Sequence, residues 1–147
     1  MPPRHQLLLL NGPNLNLLGV REPERYGTTT LGEIEDLVAK AAAEHGIGVQ
    51  AVQSNHEGVL IDTLHAARTT CAGVIVNPGG LAHTSVSLRD AVAAVALPTV
   101  EVHLTNIHRR EEFRHHSYIS GVADAVIAGA GPIGYVLAVT YLVQRLA

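Results

Sequence analysis

The chain has 147 residues, a single cysteine and a formal net charge of -3. That length suits one domain, residues 1–147, with a full core, and the mixed charge excludes the electrostatic footprint of a nucleic-acid or membrane-surface binder. Lone Cys71 excludes an internal disulfide framework and fits a reducing compartment.

Four leucines following the start are too few for a secretory segment, so the expectation is a soluble, cytoplasmic protein. The apolar-rich stretch 121–147 is broken by Gly129, Gly131, Pro132 and Gly134, and the remainder is too short to span a bilayer. Hydrophobic residues reach 47%, the upper end for a lone small domain, which points to an oligomer with buried outer faces.

Short apolar runs alternate with longer amphipathic stretches. Residues 6–10 read as a buried strand, cut off by Asn11-Gly-Pro-Asn14. Residues 30–44 read as a helix with Leu31, Ile34, Leu37, Val38 and Ala41 inward and Gly46 at its end. Gly48–Gln53 alternates as a second strand, and Glu57–Thr70 carries Leu60, Ile61, Leu64 and Ala67 on one helical stripe. A third strand at 72–77 stops at Pro78-Gly-Gly80, and Thr84 is expected to cap a helix through residue 94. A fourth strand covers 98–103, a short helix 109–114, a fifth strand 123–128 and a closing helix Ile133–Leu146. Five apolar strands separated by helices predict an α/β fold: a doubly wound, flavodoxin-like, five-stranded parallel sheet covered on both faces. Ligands in such sheets sit beyond the carboxyl ends of the strands, which directs attention to 11–26, 53–56, 77–83 and 101–114.

Thr99-Val-Glu-Val-His103 places Glu101 and His103 on one strand face. A buried carboxylate beside an imidazole fixes the ring and favours its protonated form, although the same spacing also suits a core histidine satisfied by a neighbour. Leu104-Thr105-Asn106 looks like a helix start, with Arg110 and Arg114 on one face beyond it as an anion-binding corner. The connection 15–29 is long for a βα loop, and its charged centre between Gly19 and Gly27 has the character of a lid, although the same pattern suits an exposed loop with incidental charges. A guanidinium within about 4 Å stabilises a phenolate by up to about 4 kcal/mol at an effective dielectric of about 20. Arg21 or Arg25 could therefore make Tyr26 a usable proton acceptor. Asn11-Gly-Pro-Asn14 has the composition of a plain turn, and either Asn11 or Asn14 could instead aim an amide donor at a developing oxyanion.

Other patterns carry less. The nine histidines show no familiar zinc spacing, and Ser54, Ser85 and Ser87 lack a nucleophile elbow. Gly129-Ala-Gly-Pro-Ile-Gly134 spells a dinucleotide fingerprint, but no strand follows to complete the unit, and helix packing explains it better.

Taken together, the segments resemble type II 3-dehydroquinate dehydratase nearly end to end. The resemblance is carried by Asn11-Gly-Pro-Asn-Leu-Asn-Leu-Leu-Gly19, Arg21-Glu-Pro-x-x-Tyr-Gly27, Gln53-Ser-Asn-His-Glu-Gly58, Asn77-Pro-Gly-Gly80 with His83-Thr-Ser-Val86, Leu88-Arg-Asp-Ala91, and Glu101-Val-His103 through Arg110-Glu-Glu-Phe-Arg114-His-His-Ser-Tyr118. It implies a homododecamer (a tetramer of trimers) with no metal and no cofactor. The implied reaction is reversible loss of water from 3-dehydroquinate to give 3-dehydroshikimate through an enolate, in the shikimate pathway or in quinate breakdown. On this chain Tyr26 would remove the C2 proton, Arg21 would favour its ionised form, and Asn14 would help stabilise the enolate. His103, oriented by Glu101, would protonate the departing C1 hydroxyl. Asn77, the Leu104 and Thr105 backbone and the Thr105 hydroxyl would hold the carboxylate side. His83 and Arg114 would hold the ring hydroxyls, with Asp90 reaching in from a neighbouring subunit. Thr105 stands where the family usually has Ser, Ala82 where relatives often have Thr, and Val59 and Thr63 where they often carry acidic residues and Trp. A flavodoxin-like binding module or a structural assembly protein would share the fold, but neither explains a Tyr/Arg lid opposite a Glu/His pair.

Overall fold

The computed structural model describes residues 6–147; the leader reading of the first five residues lies outside them. Strands β1 (Gln6–Asn11), β2 (Gly48–Gln53), β3 (Gly73–Asn77), β4 (Thr99–His103) and β5 (Ala125–Ala128) form one parallel sheet in the order β2-β1-β3-β4-β5. That is the flavodoxin-like doubly wound order, whose switch point lies between β1 and β3. The connecting helices are α1 (Pro23–Tyr26), α2 (Leu31–Ala43), α3 (Glu57–Thr70), α4 (Val86–Val95) and α5 (Ile133–Leu146).

The leucine run of β1 explains both covered faces. Successive side chains on a strand point to opposite sides. Leu7 and Leu9 enter the layer made by α2 and α5, whereas Leu8 and Leu10 enter the layer made by α3 and α4. All four are fully buried, each contributing about 1.5–3 kcal/mol of transfer free energy. Within the first layer, Gly134 starts α5 against the sheet, where a Cβ would lie in ordinary contact, 3.4 Å from Ile127 and 3.6 Å from Val102.

Local chemistry sets the helix ends. Thr30 Oγ1 accepts from the Glu33 amide at 3.2 Å while Glu33 Oε1 accepts from the Thr30 amide, a capping box that starts α2. Four expectations change. Leu37 is exposed, because the inward stripe of α2 runs through Ile34, Val38 and Ala42. The cap of α4 is Ser85, whose Oγ accepts from the Leu88 amide at 2.8 Å; Thr84 ends the preceding 3₁₀ turn Gly79–His83. Strands β3, β4 and β5 begin one or two residues later than the apolar runs suggested. Residues 109–114 form no α-helix but lie across two 3₁₀ turns, Ile107–Arg109 and Glu112–Arg114, separated by an extended Arg110. Among the described residues no helix is long and apolar enough to cross a membrane.

Candidate active site

Two asparagines mark the carboxyl edge of the sheet. Asn11 and Asn77 end β1 and β3 and are partners in register, both nearly fully buried. The turns that follow interlock. A Cβ on Gly12 would sit 2.3 Å from the Pro78 carbonyl oxygen, and one on Gly79 would sit 2.9 Å from that of Pro13. Only glycines let these turns pass so closely, which accounts for their shared sequence pattern. Beyond them Asn14 adopts a left-handed conformation (φ 70°), which asparagine tolerates, and its amide donates to Asn55 Oδ1 at 2.9 Å. Gln53 Nε2 braces the same loop through Asn55 Oδ1 and the Gly12 carbonyl, both at 3.2 Å.

A polar cavity of about 110 Å³ opens at this edge. Asn14, Arg21, Tyr26, Asn77, His83, His103, Leu104, Thr105 and Arg114 all line it, as does Arg110. Glu101 lies behind His103, outside the cavity wall. Asp90 does not reach it within its own chain; it is exposed on α4 and pairs with Arg89 at 2.9 Å.

The β4 side of the cavity is a buried hydrogen-bond network. Glu101 is fully buried, and its Oε2 accepts from His103 Nε2–H at 2.5 Å, leaving Nδ1 of the ring to the cavity. Ser117 donates to Oε2 at 2.6 Å and Ser120 to Oε1 at 2.5 Å. Burial pushes the Glu101 carboxyl up, but the bonds from His103, Ser117 and Ser120 outweigh it and hold the group below its ordinary value. His83 lies against His103, ring centroids 6.2 Å apart, and its Nδ1–H donates to the His116 carbonyl at 2.8 Å. Burial, reinforced by the neighbouring His103 and Arg114, pulls His83 down, so it stays neutral and keeps one ring nitrogen free to accept.

The lid side is built from arginines. Arg110 Nη1 donates to Tyr26 Oη at 2.8 Å and to Thr105 Oγ1 at 3.2 Å, so the Thr105 hydroxyl hydrogen is left for a ligand. The Arg21 and Arg110 guanidinium carbons lie 5.0 and 5.2 Å from the Tyr26 ring centroid. Of the two lid arginines weighed from sequence, Arg21 is beside Tyr26, whereas Arg25 faces Glu22 and Glu111. Arg114 is held by Glu111 at 2.5 Å. Because 107–114 is a pair of tight turns, a carboxylate at Leu104–Thr105 would meet loop amides and a hydroxyl, not the dipole of an α-helix.

Sequence reasoning named Arg110 only as part of an anion corner and did not single out Ser117, Ser120 or Asn55. The Ser117-x-x-Ser120 pair after two histidines was the visible signal, but nothing in its spacing points to a strand sixteen residues earlier. Among the described residues no group of three or more His, Cys, Asp or Glu is arranged to hold a metal ion. Cys71 is buried, and burial pushes its thiol up, away from a nucleophile's range.

A flavodoxin-like sheet whose edge cavity is lined by both a Glu-bonded histidine and an arginine-bonded tyrosine has the groups that acid–base chemistry on a small polar molecule needs. The chain belongs to the class II dehydroquinase family, whose profile matches residues 5–143. It is 66% identical over 140 residues to 3-dehydroquinate dehydratase 1 of Corynebacterium efficiens, covering 95% of this chain and 93% of that one. It is 57% identical to catabolic 3-dehydroquinase 2 of Aspergillus flavus, again over 95% of this chain and 93% of the relative. Among solved structures, the type II dehydroquinase of Propionibacterium acnes superposes with a TM-score of 0.91 at 39% identity, covering 95% of this chain and 97% of that one.

Proposed function

We propose that the chain is a type II 3-dehydroquinate dehydratase, a hydro-lyase that interconverts 3-dehydroquinate and 3-dehydroshikimate by anti elimination of water through an enolate. The observation that carries this is one cavity lined both by Tyr26, with Arg110 on its oxygen, and by His103, with Glu101 on its ring. Elimination beside a ketone needs a base, an acid and a donor for the oxyanion, and these residues supply each.

Tyr26, as phenolate, takes the C2 proton. A charge-assisted bond from Arg110 and the nearby Arg21 cation stabilise the negative oxygen. Charge moves into the C3 carbonyl, where Asn14 stabilises the enolate. The enolate then expels the C1 hydroxyl as His103 protonates it, and the imidazolium is favoured by the buried carboxylate of Glu101. Asn77, the backbone of Leu104 and Thr105 and the Thr105 hydroxyl hold the substrate carboxylate. His83 and Arg114 hold the ring hydroxyls. All proton transfers are assigned to side chains, so the scheme calls for no cofactor.

The exposed position of Asp90 on α4 suits a role in a neighbouring subunit's site, within a homododecamer built from trimers. A cytoplasmic location agrees with the lone buried thiol of Cys71. The reaction itself is tested by adding 3-dehydroquinate and following the absorbance of the conjugated enone. Its appearance supports the proposal, and its absence from folded protein defeats it. Active monomers on a sizing column would remove the role given to Asp90.

A further inference from the structure

Tyr135 belongs to α5, on the core side of the sheet, and nothing in the mechanism above uses it. Its side chain is fully buried, yet its hydroxyl is not idle. Tyr135 Oη donates to Asn11 Oδ1 at 2.7 Å and accepts from Asn77 Nδ2 at 2.8 Å. These partners lie 124 and 58 positions away in sequence, and they are the two register-paired asparagines at the switch point of the sheet. The other end of the Asn77 amide is also committed, since Oδ1 accepts from the Gly79 amide at 3.1 Å.

We propose that Tyr135 is a positioning residue for the substrate-binding edge: its buried hydroxyl locks the Asn77 carboxamide so that this side chain can present only an N–H donor to the cavity. The inference rests on the assignment of Asn77 to the substrate carboxylate. An asparagine amide has two hydrogens and one oxygen. With the oxygen held by Gly79 and one hydrogen by Tyr135, the remaining hydrogen is what Asn77 offers a ligand, and a carboxylate accepts it. A freely turning amide would show its oxygen to the same anion part of the time, which repels it. The direction of the chain of bonds is set at Gly79, whose backbone N–H can only donate to Asn77 Oδ1; Asn77 Nδ2 therefore donates to the phenol, which passes its own hydrogen to Asn11 Oδ1. Burial pushes the Tyr135 phenol far up, so this polarity holds across the working pH range.

A phenylalanine would fill the same core space, so the packing of the ring does not explain the hydroxyl. Tyr135→Phe deletes the relay and keeps the ring. The expected result is a folded protein whose KM for 3-dehydroquinate rises on the order of 10- to 100-fold while kcat changes less and the pH profile keeps its shape. In an Asn77→Ala background the same change should add little, because the amide it orients is gone. Should Tyr135→Phe fail to fold, Asn11→Ala cuts the relay at its other end and is expected to raise KM in the same direction.

A merely structural hydroxyl would lower the melting temperature and leave KM untouched below it, and that outcome overturns the proposal, as do fully additive losses in the Tyr135/Asn77 cycle. Inactive wild-type protein would instead defeat the dehydratase reading, which separates the two failures.

Discussion

The two halves of the cavity are built differently. The half with the proposed acid sits on β4, a fully buried strand, and its carboxylate is surrounded by three donors. The half with the proposed base sits on the connection after β1, where Tyr26 is bonded by Arg110 and its neighbours Arg21 and Arg25 are about a third to nearly a half exposed. Desolvating Glu101 is costly, and only a complete hydrogen-bond shell keeps it ionised there. Exposed charge pairs contribute little each, typically no more than about 1 kcal/mol. The proposed acid is thus fully bonded within the core, whereas the proposed base is held from a more exposed segment, which suits a site entered from the loop side.

The largest effects should come from the two reacting groups. Tyr26→Phe and His103→Ala are each expected to lower kcat by about 10²- to 10⁴-fold in steady-state assays with folding intact. Near-normal turnover in either would remove that residue from its role. Next, the arginines distinguish a bonded cation from a nearby one. Arg110→Ala should cost on the order of 10- to 100-fold in kcat/KM, since it removes the bond to Tyr26 Oη and frees Thr105. Arg25→Ala, which touches only Glu22 and Glu111, should stay within about 0.5 kcal/mol of wild type in stability and change turnover little. Equal losses in the two variants would mean that general lid charge, not the Arg110 bond, supports the base.

Ser117→Ala and Ser120→Ala probe the acid half from behind. Each leaves a lone pair of the buried Glu101 carboxylate without its donor, and a loss of about 1–3 kcal/mol is expected in denaturant unfolding. Acid stability gives a smaller and more graded effect. The folded value of Glu101 lies below 4.5, so its contribution is complete above 4.5 and lost as pH falls through the folded value. The folded value of His83 lies below 6.5, so under 6.5 the unfolded chain binds a proton that the folded chain refuses. Both push the same way: thermal melts should show stability falling with acid, and Glu101→Gln should flatten the lower limb.

Much of this contrast was readable from the sequence, and for a physical reason. Glu101 and His103 lie two residues apart on a strand, where period alone puts them on one face. The strands β1 to β5 and the helices α2 to α5 follow from apolar patterning, which misplaced mainly their ends, one cap and Leu37. The tyrosine's bonded cation could not be found that way. Tyr26 and Arg110 are 84 residues apart on elements with no common period, and neither patterning nor the family resemblance, which set Arg21 beside Tyr26, paired them. Ser117, Ser120 and Tyr135 were invisible for the same cause: each acts through a partner on a different element, and side-chain hydrogen bonds leave no rhythm in a sequence.

In the proposed reaction one residue removes a proton and another, on the opposite half of the cavity, delivers one. Exchange of the C2 hydrogen of 3-dehydroquinate in deuterated water, followed by NMR, separates these steps. His103→Ala is expected still to exchange that hydrogen while forming little enone, and Tyr26→Phe to do neither. Exchange that survives in Tyr26→Phe and vanishes in His103→Ala would reverse the two assignments and overturn the proposed mechanism.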